Sequence, residues 1–172
     1  QSYKVLILPG QKVISLKALQ KIKAYYDNGG KVIATSLLPS KSAELAGNEK
    51  TGLANDKKVQ AIIRDMFGID PSLPMPDGVS AIRTNKMKGS TVFIRKPDGK
   101  VLSEALDKLG VSADVRFEGN PSPSTGGGMF SFIHKQKDNR DIYLFANSSD
   151  DSINTYAEDK GNIHPELWDP AT

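Results

Sequence analysis

A continuous run of apolar residues opens the chain. Residues 4–8 read KVLIL, without alternation of apolar and polar positions, which is typical of a parallel strand buried on both faces. Behind Ser15, a favourable N-cap, apolar residues recur at helical spacing, at Leu16, Leu19, Ile22 and Tyr26. Asn28-Gly29-Gly30 ends this helix, and KVIATS at 31–36 repeats the buried-strand pattern. The opening therefore predicts a βαβ unit with a right-handed crossover.

Two more amphipathic helices are predicted further along the chain. The first begins at Asn55 or Asp56 and ends at Gly68, with its apolar face formed by Val59, Ile62, Ile63, Met66 and Phe67. The second follows a strand at TVFIR (residues 91–95), ends at Gly110, and has its apolar face at Val101, Leu102, Ala105, Leu106 and Leu109. Residues 37–54 predict an irregular excursion with one short helix. Three prolines between residues 71 and 76 exclude a helix there.

The pattern changes to short strands after residue 110. A strand is predicted within 113–119, and MFSFIHKQ (129–136) and RDIYLFANSS (140–149) should pair as an antiparallel hairpin across the polar KDN turn. A last strand is predicted at INTYA (153–157). The expected fold is α/β, a mostly parallel sheet flanked by helices with a C-terminal antiparallel hairpin. We expect one domain over 1–172, with a parallel α/β part at 1–110 and a β-rich part at 111–172.

Length and charge narrow the classes of function. A chain of 172 residues suits a single domain. Residues 1–100 hold 17 Lys and Arg against 8 Asp and Glu, whereas residues 101–172 hold 6 against 12. The lysines are scattered over predicted helix faces rather than clustered among aromatic residues, so we expect no nucleic-acid partner. No apolar run approaches the ~20 residues of a membrane span, and no signal-peptide pattern is present.

Common catalytic and cofactor motifs are missing from the sequence. There is no cysteine, which excludes a thiolate nucleophile and a thiolate metal site, and no GxGxxG, GxxxxGK[ST] or GxSxG occurs. TGGGMF precedes a predicted strand rather than a helix, so it lacks the N–H groups that hold an anion. Neither His134 nor His164 has a second metal-type ligand at helical or hairpin spacing. We therefore expect no cofactor, no metal and no catalytic residue.

The most site-like cluster lies in HPELWDPAT near the end of the chain, at His164, Glu166, Trp168 and Asp169. The face of an indole can stack on a sugar ring while carboxylates bind its hydroxyls. The more ordinary interpretation, which we favour, is that Trp168 fills a gap against the hairpin and Asp169-Pro170 makes a turn. Asp150-Asp151 is interpreted as a solvated turn.

Two family resemblances extend these observations. KVLILPG and NGGKVIAT resemble the opening of class I glutamine amidotransferase-like domains, where a strand ends in a PGG-type turn and a helix leads through GG to the next strand. Gln11 stands in place of the second glycine, and the nucleophilic cysteine of active members is missing. This resemblance implies an amidotransferase-like or flavodoxin-like fold without the amidotransferase reaction.

The second resemblance covers most of the chain. The order YKVLILPG, ISLKALQKIKAYYDNGGKVIAT, FIHKQKDNRDIYLFANSSDD and PELWDPAT is similar to the segment after the catalytic barrel in glycoside hydrolase family 106, the bacterial α-L-rhamnosidases and their relatives. It implies that the catalytic carboxylates lie in a barrel outside this segment. We expect a piece of a larger enzyme in the periplasm or outside the cell, with that barrel as partner and plant polysaccharide sugars as further ligands.

The sequence leaves three functions open. The leading hypothesis is a non-catalytic accessory domain of a rhamnosidase-like glycoside hydrolase. The second is a carbohydrate-binding module in which Trp168 stacks on a sugar and His164 and Glu166 are its polar partners. The third is an oligomerisation or interaction domain.

Overall fold

The computed structural model describes residues 3–44, 47, 49–119, 129–138, 140–159 and 165–168. Internal contacts divide the chain into two compact units, Gln1–Ser112 and Ala113–Thr172. Each unit has its own strands and its own apolar contacts.

The described residues of the first unit form six strands and three helices. Its strands are β1 Leu6–Leu8, β2 Val13–Ile14, β3 Lys31–Thr35, β4 Lys41–Ser42, β5 Arg83–Thr84 and β6 Ser90–Ile94. Its helices are α1 Leu16–Asp27, α2 Glu49–Phe67 and α3 Gly99–Lys108. None of the helices that the structure describes is both long and apolar enough to cross a lipid bilayer.

A four-stranded sheet in the order β1-β3-β6-β5 organises this unit. β3 pairs in parallel with β1, placing Leu6 opposite Val32, and with β6, placing Ile33 opposite Val92. β5 pairs antiparallel at the edge. β2 and β4 form a separate parallel pair. The predicted βαβ unit is confirmed by β1, α1 and β3.

Both faces of the sheet are covered by helices. Val32, Ala34 and Phe93 project to one side, where they join buried residues of α1 and α2, Leu19, Tyr26, Val59, Ile63 and Met66. Ile33, Val92 and Ile94 project to the other side and pack on α3 through Ala105 and Leu109. Since successive side chains of a strand point to opposite faces, strands covered on both sides must be apolar throughout. This is why the KVIAT segment of β3 shows no alternation; in β1, at the edge of the sheet, Ile7 remains 46% exposed.

α2 begins earlier than predicted. It starts at Glu49, so the predicted N-cap at Asn55 or Asp56 is wrong. The Asp56 carboxylate instead accepts a hydrogen bond from the Ser42 N–H, at 2.8 Å, and so ties α2 to β4. The predicted N-cap of α1 at Ser15 and the predicted end of α3 at Gly110, which has φ +67°, are confirmed, and Asp98 caps α3.

Where the second unit is described, it holds two antiparallel strand pairs, β7 Val115–Phe117 with β10 Ala157–Asp159, and β8 Phe130–Lys137 with β9 Arg140–Asn147. The predicted β8–β9 hairpin is confirmed. It forms its own two-stranded sheet and does not extend the sheet of the first unit, so the sheets are small and mixed rather than one mostly parallel sheet. The last strand begins at Ala157, where the predicted INTYA strand ends.

Candidate functional site

The predicted C-terminal cluster is only partly described. His164 and Asp169 lie outside the described residues. Pro165–Trp168 belongs to no helix or strand, Glu166 is exposed, and Trp168 is 81% exposed. The favoured interpretation of Trp168 as a packed residue is therefore wrong, and its indole face is available to solvent.

A histidine between two carboxylates lies on the β8–β9 hairpin. His134 Nε2 is 2.7 Å from Asp141 Oδ1, and His134 Nδ1 is 3.3 Å from Asp114 Oδ2. The imidazole stacks on Tyr143, with ring centroids 4.3 Å apart. Gln136 Nε2 donates to the same Asp141 oxygen at 2.9 Å. The hydrogen bond to Asp141, and then the one to Asp114, raise the pKa of His134, because both favour the charged imidazolium.

His134, Asp141 and Asp114 together are suited to holding a proton rather than a metal ion. Each ring nitrogen of His134 faces a different carboxylate, so the side chains do not converge on one point in space. Within the described residues, no group of three or more His, Asp or Glu side chains could hold a metal ion.

The sequence carries a signal for this cluster in the register of the hairpin, so the expectation that His134 has no second metal-type ligand at hairpin spacing is wrong. The short KDN turn sets that register, which places His134 opposite Tyr143 and Gln136 opposite Asp141. In an antiparallel pair, residues two positions along on the facing strand lie diagonally within reach of long side chains. Asp141 is such a neighbour of His134.

The two faces of the hairpin differ in how they are covered. One face carries Phe130, Phe132 and Phe145 in edge-to-face contact with Phe117 of β7, with ring centroids 5.0 to 6.0 Å apart, although Phe132 and Phe145 remain 40% and 43% exposed. The opposite face carries three apolar side chains that remain about half exposed, at 55%, 50% and 57%, namely Ile133, Ile142 and Leu144. We call this second face the aliphatic hairpin face.

A cleft of about 530 Å³ lies at the carboxyl ends of the parallel strands. Its walls come from the segments after β1 and β3, from the start of the segment after β6, from α2, and from the proline-rich segment after α2. Three of its lining side chains are cationic, Lys12, Lys41 and Arg95. We call this feature the cationic cleft.

The turn after β1 packs against the turn after β3, beside the cationic cleft. A Cβ placed on Gly10 would lie 2.8 Å from Ser36 Cβ and 3.0 Å from the Thr35 carbonyl oxygen. Ser36 has φ +60°, a conformation that costs a residue other than glycine energy and is often found at functional sites. The LPG segment therefore makes a corner, and this corner lies beside a cleft.

The N-terminus of α1 is completed by a residue distant in sequence. The Glu44 carboxylate accepts hydrogen bonds from the Leu16 N–H at 2.7 Å and from the Ser15 hydroxyl at 3.0 Å, and another from the Ser42 hydroxyl. These donors, led by Ser42 and Leu16, lower the pKa of Glu44 to about 2. Glu44 thus provides an acceptor at a helix end where backbone N–H groups lack helical partners.

Comparison with known proteins assigns the chain to a family. A search of curated proteins finds no significant match. The family model for glycoside hydrolase family 106, described as α-L-rhamnosidase, matches residues 1–172. The match extends over the whole sequence, including both units. The chain therefore belongs to glycoside hydrolase family 106.

Proposed function

We propose that this chain is a non-catalytic accessory domain of a larger α-L-rhamnosidase-type glycoside hydrolase, and that its partner is the catalytic barrel of the same enzyme. The family match supports the link to the hydrolase. We further propose an amidotransferase-like arrangement for the first unit, supported by its three parallel strands and by helices on both faces of the sheet.

The electrostatics of the described carboxylates support a non-catalytic role. Glycoside hydrolysis needs a carboxylic acid whose pKa is raised, so that it can protonate the leaving oxygen. Hydrogen bonds lower the pKa of three described carboxyl groups, Glu44, Asp70 and Asp141. Each of them is suited to accepting hydrogen bonds at neutral pH, not to giving up a proton.

The observation that carries the accessory role is the aliphatic hairpin face. A two-stranded sheet normally turns one face to water, and that face is polar. Here the aromatic face contacts Phe117 and is partly covered, whereas Ile133, Ile142 and Leu144 on the other face have no such contact within the described residues and stay half exposed. Clustered apolar side chains on a surface mark contact sites. We propose that the catalytic barrel covers this face.

Association with the separately produced catalytic part of the parent enzyme tests this role. Leu144→Lys places a charge at the centre of the aliphatic hairpin face and should weaken the complex by at least about tenfold in Kd, because a buried unpaired charge opposes association. Leu53→Lys is the matched control, since Leu53 is 56% exposed against 57% for Leu144 and lies on α2. Equal affinity of the two variants would contradict the proposal.

Carbohydrate binding is a second candidate, favoured by the 81% exposure of Trp168. In this alternative the indole stacks on a sugar while Glu166 and His164 bind hydroxyl groups. Titration calorimetry with pectin oligosaccharides would decide, because Trp168→Ala must then abolish the heat of binding. Heat that is unchanged in this variant would exclude Trp168 as the platform. By family membership, we propose a periplasmic or extracellular location for the parent enzyme.

A further inference from the structure

We propose that the cationic cleft binds a sugar that carries an oxyanion, either a carboxylate or a phosphate. This site lies in the first unit, far in sequence from Trp168, and it does not depend on the accessory role. Ligands of open α/β sheets bind outside the carboxyl ends of the strands. Lys12 follows β1, Lys41 is the first residue of β4 in the segment after β3, and Arg95 follows β6 directly, so the three cations lie in segments that leave the carboxyl ends of the parallel strands.

The backbone holds the two lysines next to each other. The Lys12 carbonyl oxygen accepts hydrogen bonds from the Ser40 N–H at 3.0 Å and the Lys41 N–H at 3.1 Å. Val13 then pairs with Lys41 in the short β2–β4 ladder. Lys12 and Lys41 thus bring two like charges to the lining of one cleft, and like charges repel each other. An anion between them would turn this repulsion into attraction.

Arg95 reaches the cationic cleft from the end of β6, and a hydrogen bond to the turn after β3 positions its side chain. One of its guanidinium nitrogens donates to the Ser36 carbonyl oxygen, which fixes the side chain against the strained turn after β3. A guanidinium has five N–H donors in a planar fork. The bond to Ser36 uses one of them, and the others remain for a carboxylate or a phosphate, the groups that this fork matches best.

No carboxylate lines the cationic cleft within the described part of the chain. The acidic side chains closest to it in sequence have other partners. Asp70 pairs with Arg64 at 3.0 Å and accepts from Ser72, Asp56 accepts from the Ser42 N–H, and Glu44 caps α1. The positive charge of the cleft is thus left for a ligand to neutralise.

The rest of the lining suits a sugar better than a bare ion. The volume of about 530 Å³ falls within the range of small-molecule sites, roughly 300–1,000 Å³. Gln60 is held at the wall by a hydrogen bond from its Nε2 to the Ser40 carbonyl oxygen, at 3.1 Å, which leaves its amide oxygen for a hydroxyl group. An apolar wall faces these polar groups, formed by Leu37, Pro71, Leu73, Pro74 and Met75, and can contact the C–H face of a sugar ring.

Titration calorimetry and amide NMR shifts of the full chain test this site with four probes: galacturonate, glucose 6-phosphate, inorganic phosphate and galactose. We expect at least one of the two anionic sugars to bind and to shift the amide signals of Leu37, Ser40, Lys41 and Arg95. This binding should weaken at high ionic strength, because exposed charges are screened by salt. A preference for galacturonate identifies a carboxylate ligand, and a preference for glucose 6-phosphate identifies a phosphate.

Charge-matched double variants locate the binding. Lys12→Ala/Lys41→Ala should reduce the affinity by about tenfold or more, since charge-assisted hydrogen bonds are lost. Lys21→Ala/Lys58→Ala removes the same charge from exposed faces of α1 and α2 and should change the affinity less than about twofold. Three results would overturn the proposal: no binding of either anionic sugar, inorganic phosphate binding as tightly as both, or equal loss in the two double variants. None of these three results bears on the proposed association of the chain with the catalytic barrel.

Discussion

At the scale of single residues, Gly10 shows why the LPG turn has its sequence. A Cβ there would meet Ser36 Cβ at 2.8 Å and the Thr35 carbonyl oxygen at 3.0 Å, and neither neighbour is the flexible end of a side chain. Gly10→Ala should therefore destabilise the first unit by about 1–3 kcal/mol, measured by urea unfolding.

Gly99 provides the control for this substitution. It is the first residue of α3, and nothing lies within 4 Å of the Cβ that it would carry. Gly99→Ala should leave the stability unchanged or raise it by up to about 1 kcal/mol, since alanine is the better helix former. Equal changes of stability in Gly10→Ala and Gly99→Ala would contradict the close approach of the turns after β1 and β3.

His134 should titrate above its ordinary range. Its pKa is raised by Asp141 and Asp114, so the charged form stabilises the second unit at pH values below the unfolded-state pKa of about 6.5. This contribution is lost as the pH rises through the folded-state pKa.

Proton NMR titration of the imidazole signals measures this directly. The sequence has only two histidines, so the variant His164→Gln leaves a single imidazole to follow. Asp141→Asn should shift the pKa of His134 back toward 6.5, while Asp138→Asn, in the hairpin turn, should change it little. An unchanged pKa in Asp141→Asn would contradict the role of the Asp141 hydrogen bond.

At the scale of elements, α1 depends on a residue 28 positions after its first turn. Glu44 accepts from the Leu16 N–H and the Ser15 hydroxyl, and its pKa of about 2 means that the carboxylate stabilises the fold above pH 4.5. That stabilisation is lost as the pH falls from about 4.5 through about 2.

Glu44→Gln should therefore lower the stability at neutral pH and flatten its decline in acid. Urea unfolding at several pH values between about 7 and about 2.5 would show both effects. Glu104→Gln, on the exposed side of α3, is the control and should retain the wild-type pH dependence. A Glu44→Gln variant that declines in acid as steeply as the wild type would exclude this capping role.

Elements with strong local patterns are predicted well from the sequence, and the exceptions have physical reasons. The βαβ unit, α3 and the β8–β9 hairpin follow from buried runs, helical spacing and turn residues. The predicted start of α2 is wrong because Asn55 and Asp56 suit an N-cap, but Asp56 bonds to Ser42 of β4 instead. The β8–β9 hairpin is predicted correctly because its pairing across a short turn is local. Its expected place in the mostly parallel sheet is wrong, because the periodicity of a segment does not encode which distant sheet it joins.

At the scale of the whole molecule, part of the excess positive charge of residues 1–100 lies in one cleft. The sequence favours solvated helix faces for the excess of Lys and Arg in residues 1–100, yet Lys12, Lys41 and Arg95 lie outside the helices and line one cleft. Sequence spacing could not reveal this, because the three residues are far apart in the chain and meet only through the parallel sheet. The predicted cluster at His164, Glu166 and Trp168 remains a prediction.

The most direct test of the central claim, that this chain is an accessory domain and not the catalytic one, is hydrolysis of an aryl α-L-rhamnoside by the purified 172-residue chain. We predict no release of the aryl group above the buffer rate, while a chain that includes the catalytic barrel turns the same substrate over. Turnover by the 172-residue chain that is abolished by Glu166→Gln would contradict the account.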